Sequence, residues 1–201
     1  MSDVIDTLAG LSPDSPLAQI RDRKPITRQQ AQASHDALFA PAEPGDVTPQ
    51  ERYAIACFVA GLHAQEEAAA YYGEGLRATA PDAAFIDALT AETARARTNG
   101  PYGAYPKGPL SAEDVAGPSY HVSETNAAVL GARLAAAMAH VHMLVYHPRD
   151  ASPAALQALL NAGWSNAGIV TLSQLVAFLA FQIRAAAGMR VLAATPSGAS
   201  A

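Results

Sequence analysis

The chain has 201 residues and a mass of 20.8 kDa, enough for one domain or for two small helical halves around a shared core. Half of the residues are hydrophobic and 15% are charged, which excludes a disordered segment and a long solvated coil. A net charge of −5 leaves no basic footprint for nucleic acid or an anionic membrane, and one cysteine excludes an internal disulfide framework, an intrachain dithiol and a four-cysteine zinc site. The 47 alanines, against 6% aromatics, favour helix over strand and predict an all-α fold.

The N-terminus, Met1-Ser2-Asp3-Val4-Ile5-Asp6, is acidic and lacks the basic and apolar regions of a secretory signal. The longest apolar runs, 54–60 and 175–181, fall short of the roughly 20 residues that span a bilayer, so the expectation is a cytoplasmic protein with no membrane partner. A short helix around Val4–Leu8 and a helix from a Thr27/Gln30 capping box to Phe39, stopped by Pro41 and Pro44, make an N-terminal arm over residues 1–47. Thr48-Pro49-Gln50-Glu51 supplies an N-cap, a first-position proline and a carboxylate that reaches back to the cap. It opens a helix over 49–78 whose first half is apolar nearly all round, as in a central buried helix. An amphipathic helix follows over 82–97.

Residues 98–122 form a glycine- and proline-rich loop, ordered by Tyr102, Tyr105 and Tyr120, of a length that often carries function. Ser123 or Thr125 caps a helix to Tyr146, Ser152-Pro153 opens a short helix closed at Gly163, and Ser165 caps an apolar helix over 166–194. Seven helices in all are expected, with a frayed tail at 195–201. Aligning Val59 with Val176 also pairs Leu62 with Leu179, Gln65 with Gln182 and Ala68–Ala70 with Ala185–Ala187, an echo that suggests two related lobes.

The stretch from Thr48 to Arg52 with the downstream FVAGLHAQ resembles the core helix of the carboxymuconolactone decarboxylase-like superfamily, which includes alkylhydroperoxidase D. Ala162-Gly163-Trp164-Ser165 and the following IVTLSQLVAFLAFQIRAAAGMRVLA are similar to the last two helices of its two-lobed, peroxidase-related branch. The resemblance covers residues 48–194. It implies the alkylhydroperoxidase D-like helical fold, a homo-oligomer (dimer or higher) and a peroxidase-related antioxidant role. Active members reduce hydroperoxides with a Cys-x-x-Cys pair aided by an upstream Glu and a downstream His. Carried onto this sequence, the two cysteines fall on Gln65 and Ala68, the histidine on Tyr72 and the glutamate on Tyr53. A thiolate must attack the peroxide and a second thiol must resolve the sulfenic acid, which Gln and Ala cannot do. The resemblance therefore also admits a catalytically degenerate subunit, partnering a paralogous family member. A third reading follows decarboxylase-type relatives: a thiol-independent acid–base enzyme acting on a small organic acid or lactone.

Other residues carry chemistry of their own. Cys57 is either the nucleophile of a one-cysteine peroxidase or, given its neighbours Ala56, Phe58, Val59 and Ala60, an inert core thiol with a raised pKa. His63, Glu66 and Glu67, at i, i+3 and i+4, share one face of the expected helix, as a metal or proton-shuttle site or as a solvated face. His140 and His142 point in different directions, His142 and Tyr146 are placed for a hydrogen-bonded unit, and His147 suits the helix end. No cofactor is otherwise expected; a mixed divalent-metal set of His63, Glu67 and His142 is chemically plausible. Gln182 is expected near Gln65 by pseudo-symmetry, and Arg184 to pair with Glu66 or Glu67 or to hold a substrate carboxylate. No phosphate-cradling glycine loop or serine elbow offers a rival enzyme class.

Overall fold

Prolines and short polar side chains cut the chain into helices where the sequence predicts them. In the computed structural model, which describes residues 3–100 and 102–195, these are α1 (Val4–Ala9), α2 (Pro16–Asp22), α3 (Pro25–Phe39), α4 (Pro49–Leu62), α5 (Glu66–Ala78), α6 (Ala83–Ala96), α7 (Glu124–Leu130), α8 (Ala132–Tyr146), α9 (Pro153–Asn161) and α10 (Asn166–Ala194). The fold is all-α; an isolated bridge between Gly103 and Val115 and two short 3-10 turns complete the described residues. Ser15, Thr48, Asp82, Ser123, Ser152 and Ser165 each accept a backbone N–H of the first helical turn, and Thr48 with Glu51 forms the full capping box. The expected tail lies outside the described residues apart from Thr195.

Ten α-helices replace the expected seven for local reasons. Ser15-Pro16 opens α2 inside the proline-punctuated segment. The helix capped by Thr27 instead starts at Pro25, whose missing N–H costs nothing in a first turn. Gly131, at φ +84°, bends the 124–146 segment by 116° between α7 and α8. The helix expected over 49–78 breaks at His63-Ala64-Gln65. There the Gln65 N–H donates to the Ala60 carbonyl at 3.1 Å and the Ala64 N–H to Gly61 at 3.0 Å, with Ala64 left-handed at φ +53°. This is the closing motif usually built on glycine.

The break also corrects the internal echo. Gln65 is the extended N-cap of α5, whereas Gln182 lies mid-helix in unbroken α10, so the matched segments do not share a local structure.

The core is centred on α4, where Ala54, Ile55, Ala56, Phe58, Val59 and Ala60 are fully buried, as its apolar first half predicts. It packs against α3, α5, α6, α8 and α10. Val4, Ile5 and Leu8 of α1 enter the same core, so the N-terminal arm is part of it. Buried Asp3 and Asp6 pair with Arg21 and Arg28 beneath that arm. The buried Arg52 guanidinium donates to the carbonyls of Val47, Leu38 and Pro44, pinning the 40–48 segment onto α4. Arg133 reaches Glu51 at 2.7 Å and lies 4.2 Å over the Trp164 ring, which anchors the α9–α10 turn as its sequence position suggests. Near the other end of α10, Arg190 donates to the Leu8 carbonyl at 2.8 Å and to Gln65. By length and composition α10 could cross a bilayer, but its Leu172, Leu175, Leu179 and Ile183 side is core.

Glu92 of α6 fixes the end of the 98–122 loop. Its carboxylate, 1% exposed, accepts Tyr120 Oη at 2.8 Å, Ser123 Oγ at 2.7 Å, Asn126 Nδ2 at 2.8 Å and Arg95 Nε at 3.0 Å. Burial alone would raise its pKa; the hydrogen bonds from Arg95, Ser123, Asn126 and Tyr120 outweigh it and bring it down to about 2. A depressed native pKa means stability present above the ordinary carboxylate value of 4.5 and lost as pH falls from there towards about 2. In acid titrations followed by circular dichroism, Glu92→Gln should be less stable than wild type at neutral pH, and the gap should close across that window.

Candidate functional site

The end of α4 places His63 as its C-cap, with its N–H on the Val59 carbonyl at 3.0 Å. The ring is half-buried, and Nε2 is shielded from solvent with no hydrogen-bond partner among the described residues. It lines a cleft of about 450 Å³ together with Tyr102, Tyr146, Arg149 and Arg184. No aspartate or glutamate is among the described residues of that lining. Burial pushes the His63 pKa below the usual 6.5, and the Arg184 charge pushes it the same way, so the imidazole is neutral at pH 7.

The rest of the cleft is built on what the break in α4 leaves unpaired. The Leu62 carbonyl has lost its helical partner and accepts the Tyr146 hydroxyl at 2.8 Å. Tyr146 Oη in turn accepts the Thr98 N–H at 3.3 Å, and the Tyr102 N–H donates to the Tyr146 carbonyl at 3.2 Å. Arg149, in the turn after Pro148, stacks 3.8 Å over Tyr105 and reaches the Tyr102 carbonyl at 3.3 Å. Arg184 is exposed, with no ion pair or hydrogen bond from its side chain among the described residues.

Of the sequence candidates, His63, Tyr146 and Arg184 thus share one cleft. Glu66 and Glu67 do not join them: they occupy the first turn of α5, beyond the left-handed Ala64, so the single helical face expected for the trio does not exist. Arg184 pairs with neither; Glu67 lies 3.3 Å from Arg190 instead. His142 donates through Nε2 to the Ala96 carbonyl at 3.1 Å and stacks on Tyr120, which separates it from His63 and Glu67 as a metal set. Its ring lies 4.9 Å from that of Tyr146, but the tyrosine hydroxyl is spent on Leu62, so the expected hydrogen bond between them is not made. His140 is buried, and His147, at the end of α8, donates from Nδ1 to Asp150 at 2.9 Å. Among the described residues no group of three or more His, Cys, Asp or Glu side chains is arranged to hold a metal.

The positions on which the resemblance would place catalytic residues include an aromatic layer, formed with Phe39 by Tyr53 and Tyr72. Tyr53 and Tyr72 both pack on Phe39 of α3, at 5.1 and 5.0 Å between ring centroids. Ala68 is buried beside them, and Gln65 donates to the His63 carbonyl and accepts Arg190. Gln182 is fully buried, and its partner is the Tyr72 hydroxyl rather than Gln65. Cys57 lies one turn along α4 from Tyr53 and close enough to Tyr72 to act on it electrostatically, and burial raises its thiol pKa to about 12 against a smaller opposing effect of Arg77.

Arg149 and Glu92 were beyond the sequence reading. Arg149 sits in a three-residue turn with no periodicity to mark it, and Glu92 looks like any helix-face carboxylate until Tyr120 and Ser123 return to it. Comparison with family models, with curated proteins and with solved structures finds no match to this chain.

A thiol near pKa 12 is almost wholly protonated at pH 8. Iodoacetamide should therefore alkylate Cys57 about a thousandfold more slowly than a free thiol of ordinary pKa, with the rate still climbing above pH 10. Mass spectrometry of timed samples reads this out, and a rate within tenfold of glutathione would return Cys57 to the nucleophile role.

Proposed function

We propose that this chain is a thiol-independent acid–base enzyme acting on a small organic acid or lactone, on a carboxymuconolactone decarboxylase/alkylhydroperoxidase D-like helical fold in the cytoplasm. The observation that carries the reading is the half-buried imidazole of His63, its Nε2 without a hydrogen-bond partner, in the lining of a cleft that also holds two arginines and, among the described residues, no carboxylate. Peroxide reduction, which the family resemblance implies, is disfavoured by the absent second thiol and the high pKa of Cys57.

In this reading the substrate carboxylate binds Arg184 and Arg149, which orients the adjacent carbon towards His63. The neutral imidazole supplies the lone pair that takes a proton from that carbon. The negative charge that develops is spread onto the substrate oxygens and held by the guanidinium groups. Substrate binding also offsets the Arg184 field at His63, raising its basicity only when the site is filled. The acid limb of kcat/KM should accordingly lie below 6.5, with that of kcat at a higher pH than that of kcat/KM.

The test is hydrogen–deuterium exchange next to the carboxylate, followed by proton NMR in deuterium oxide over a panel of short keto acids, unsaturated acids and γ-lactones. Wild type should exchange at least one of them, His63→Gln should lose about 10²-fold or more in rate, and Arg184→Gln should raise KM. A wild-type protein inert across the panel overturns the reading.

A second reading, a degenerate subunit of a homo-oligomer or of a paralogous assembly, is favoured by α10. Val170, Ala177, Phe181 and Val191 are exposed on one side of it, at spacings that keep to a single helical stripe. Light scattering should then give a dimer or larger species that Phe181→Glu dissociates; a monodisperse wild-type monomer removes this reading.

A further inference from the structure

A second cleft, sharing no residue with the first, opens where α5 and α6 both pack against α4 but diverge from each other. Its volume is about 360 Å³, within the range of small-molecule sites. Cys57 and Gly61 form the floor, and Leu76, Ile86 and Leu89 give it apolar walls. Two cations, Arg77 and Arg97, stand at its edge, and neither side chain has an ion-pair or hydrogen-bond partner among the described residues. Arg77 is exposed at the rim. It folds back along α5, so that Nη1 comes within 3.6 Å of where a Cβ on Gly73 would stand, directly over the cleft. Gly73, a helical position, lines the cleft beneath that guanidinium.

We infer that this cleft binds an amphipathic monocarboxylate, its hydrocarbon part on the Leu76–Ile86–Leu89 wall and its carboxylate between Arg77 and Arg97. The apolar interior rejects a short hydrophilic acid, since acetate leaves the wall uncovered. The unpaired guanidinium groups discriminate against an uncharged chain, because only an anion supplies the acceptors they lack. A free carboxylate of six to ten carbons matches both requirements. Cys57 needs no chemical role here: as the only cysteine it reports occupancy from the floor of the site.

Isothermal titration of the full-length protein with octanoate should show saturable one-to-one binding, with octanol and acetate each at least tenfold weaker. The Arg77→Gln/Arg97→Gln double variant should lose tenfold or more in octanoate affinity while its octanol binding stays unchanged. Gly73→Leu, which fills the cleft and exchanges a helical glycine for a better helix former, should abolish both with the circular dichroism spectrum retained. Octanoate should also slow Cys57 alkylation of wild type in proportion to occupancy. The inference fails if octanoate does not bind saturably, if the arginine variant binds it as wild type does, or if Cys57 is equally reactive with and without it. It fails equally if the cleft is buried by a second copy of the chain that octanoate does not displace.

Discussion

At Ala64 the backbone turns left-handed, a conformation that costs a residue with a Cβ about 1–2 kcal/mol. The cost is borne because α5 can then fold back on α4 and bury Ala68, Tyr72 and Leu76, where each large side chain contributes about 1.5–3 kcal/mol. The turn ends α4 early, frees the Leu62 carbonyl for Tyr146 and leaves His63 at the mouth of a cleft instead of on a helix face. It also presents Gln65 and Glu67 to Arg190 of the last helix. A continuous helix over 49–78 would make none of these contacts.

Two polar environments of opposite character sit on either side of α8. Around Glu92 a buried anion is matched by donors from α6, from the returning loop and from α7, so its charge is spent on structure. Around His63 the balance is reversed: positive groups gather with no protein anion to answer them. Between the two, burial lowers the pKa values of His140 and His142, which keeps this part of the helix uncharged at neutral pH. Glu92 thus keeps its negative charge within the scaffold, while Arg149 and Arg184 line an opening.

The parts of the fold legible in the sequence are those written in local chemistry. Thr48-Pro49-Gln50-Glu51, Ser152-Pro153 and Ser165 announce helix starts because cap, proline and carboxylate act within one turn. The apolar first half of α4 announces a central helix for the same reason. The break at 63–65 was hidden because alanine, the best helix former, stands where glycine would mark a left-handed residue. The bend at Gly131 was hidden because an isolated glycine is tolerated within a helical pattern. His63, Tyr146 and Arg184 stood out as polar interruptions of apolar stretches, but their common cleft depends on how α4, α8 and α10 cross. Arg184 and Arg190 lie on one helix six residues apart, and only tertiary packing selects the second as the partner of Glu67.

The Arg190–Leu8 hydrogen bond joins residues 182 apart in sequence. On the ribosome, α1 is finished long before the helix that covers most of it has been made, so Val4, Ile5 and Leu8 emerge with a main neighbour, α10, still untranslated. Closing so long a loop adds little thermodynamic cost, because chain entropy grows only with the logarithm of loop length. The burden is one of time: contacts this distant form slowly, and α10 must be synthesised before α1 can dock on it. The ion cluster of Asp3 and Asp6 with Arg21 and Arg28 draws only on the first 28 residues. It ties α1 to α2 and α3 through contacts that do not depend on α10.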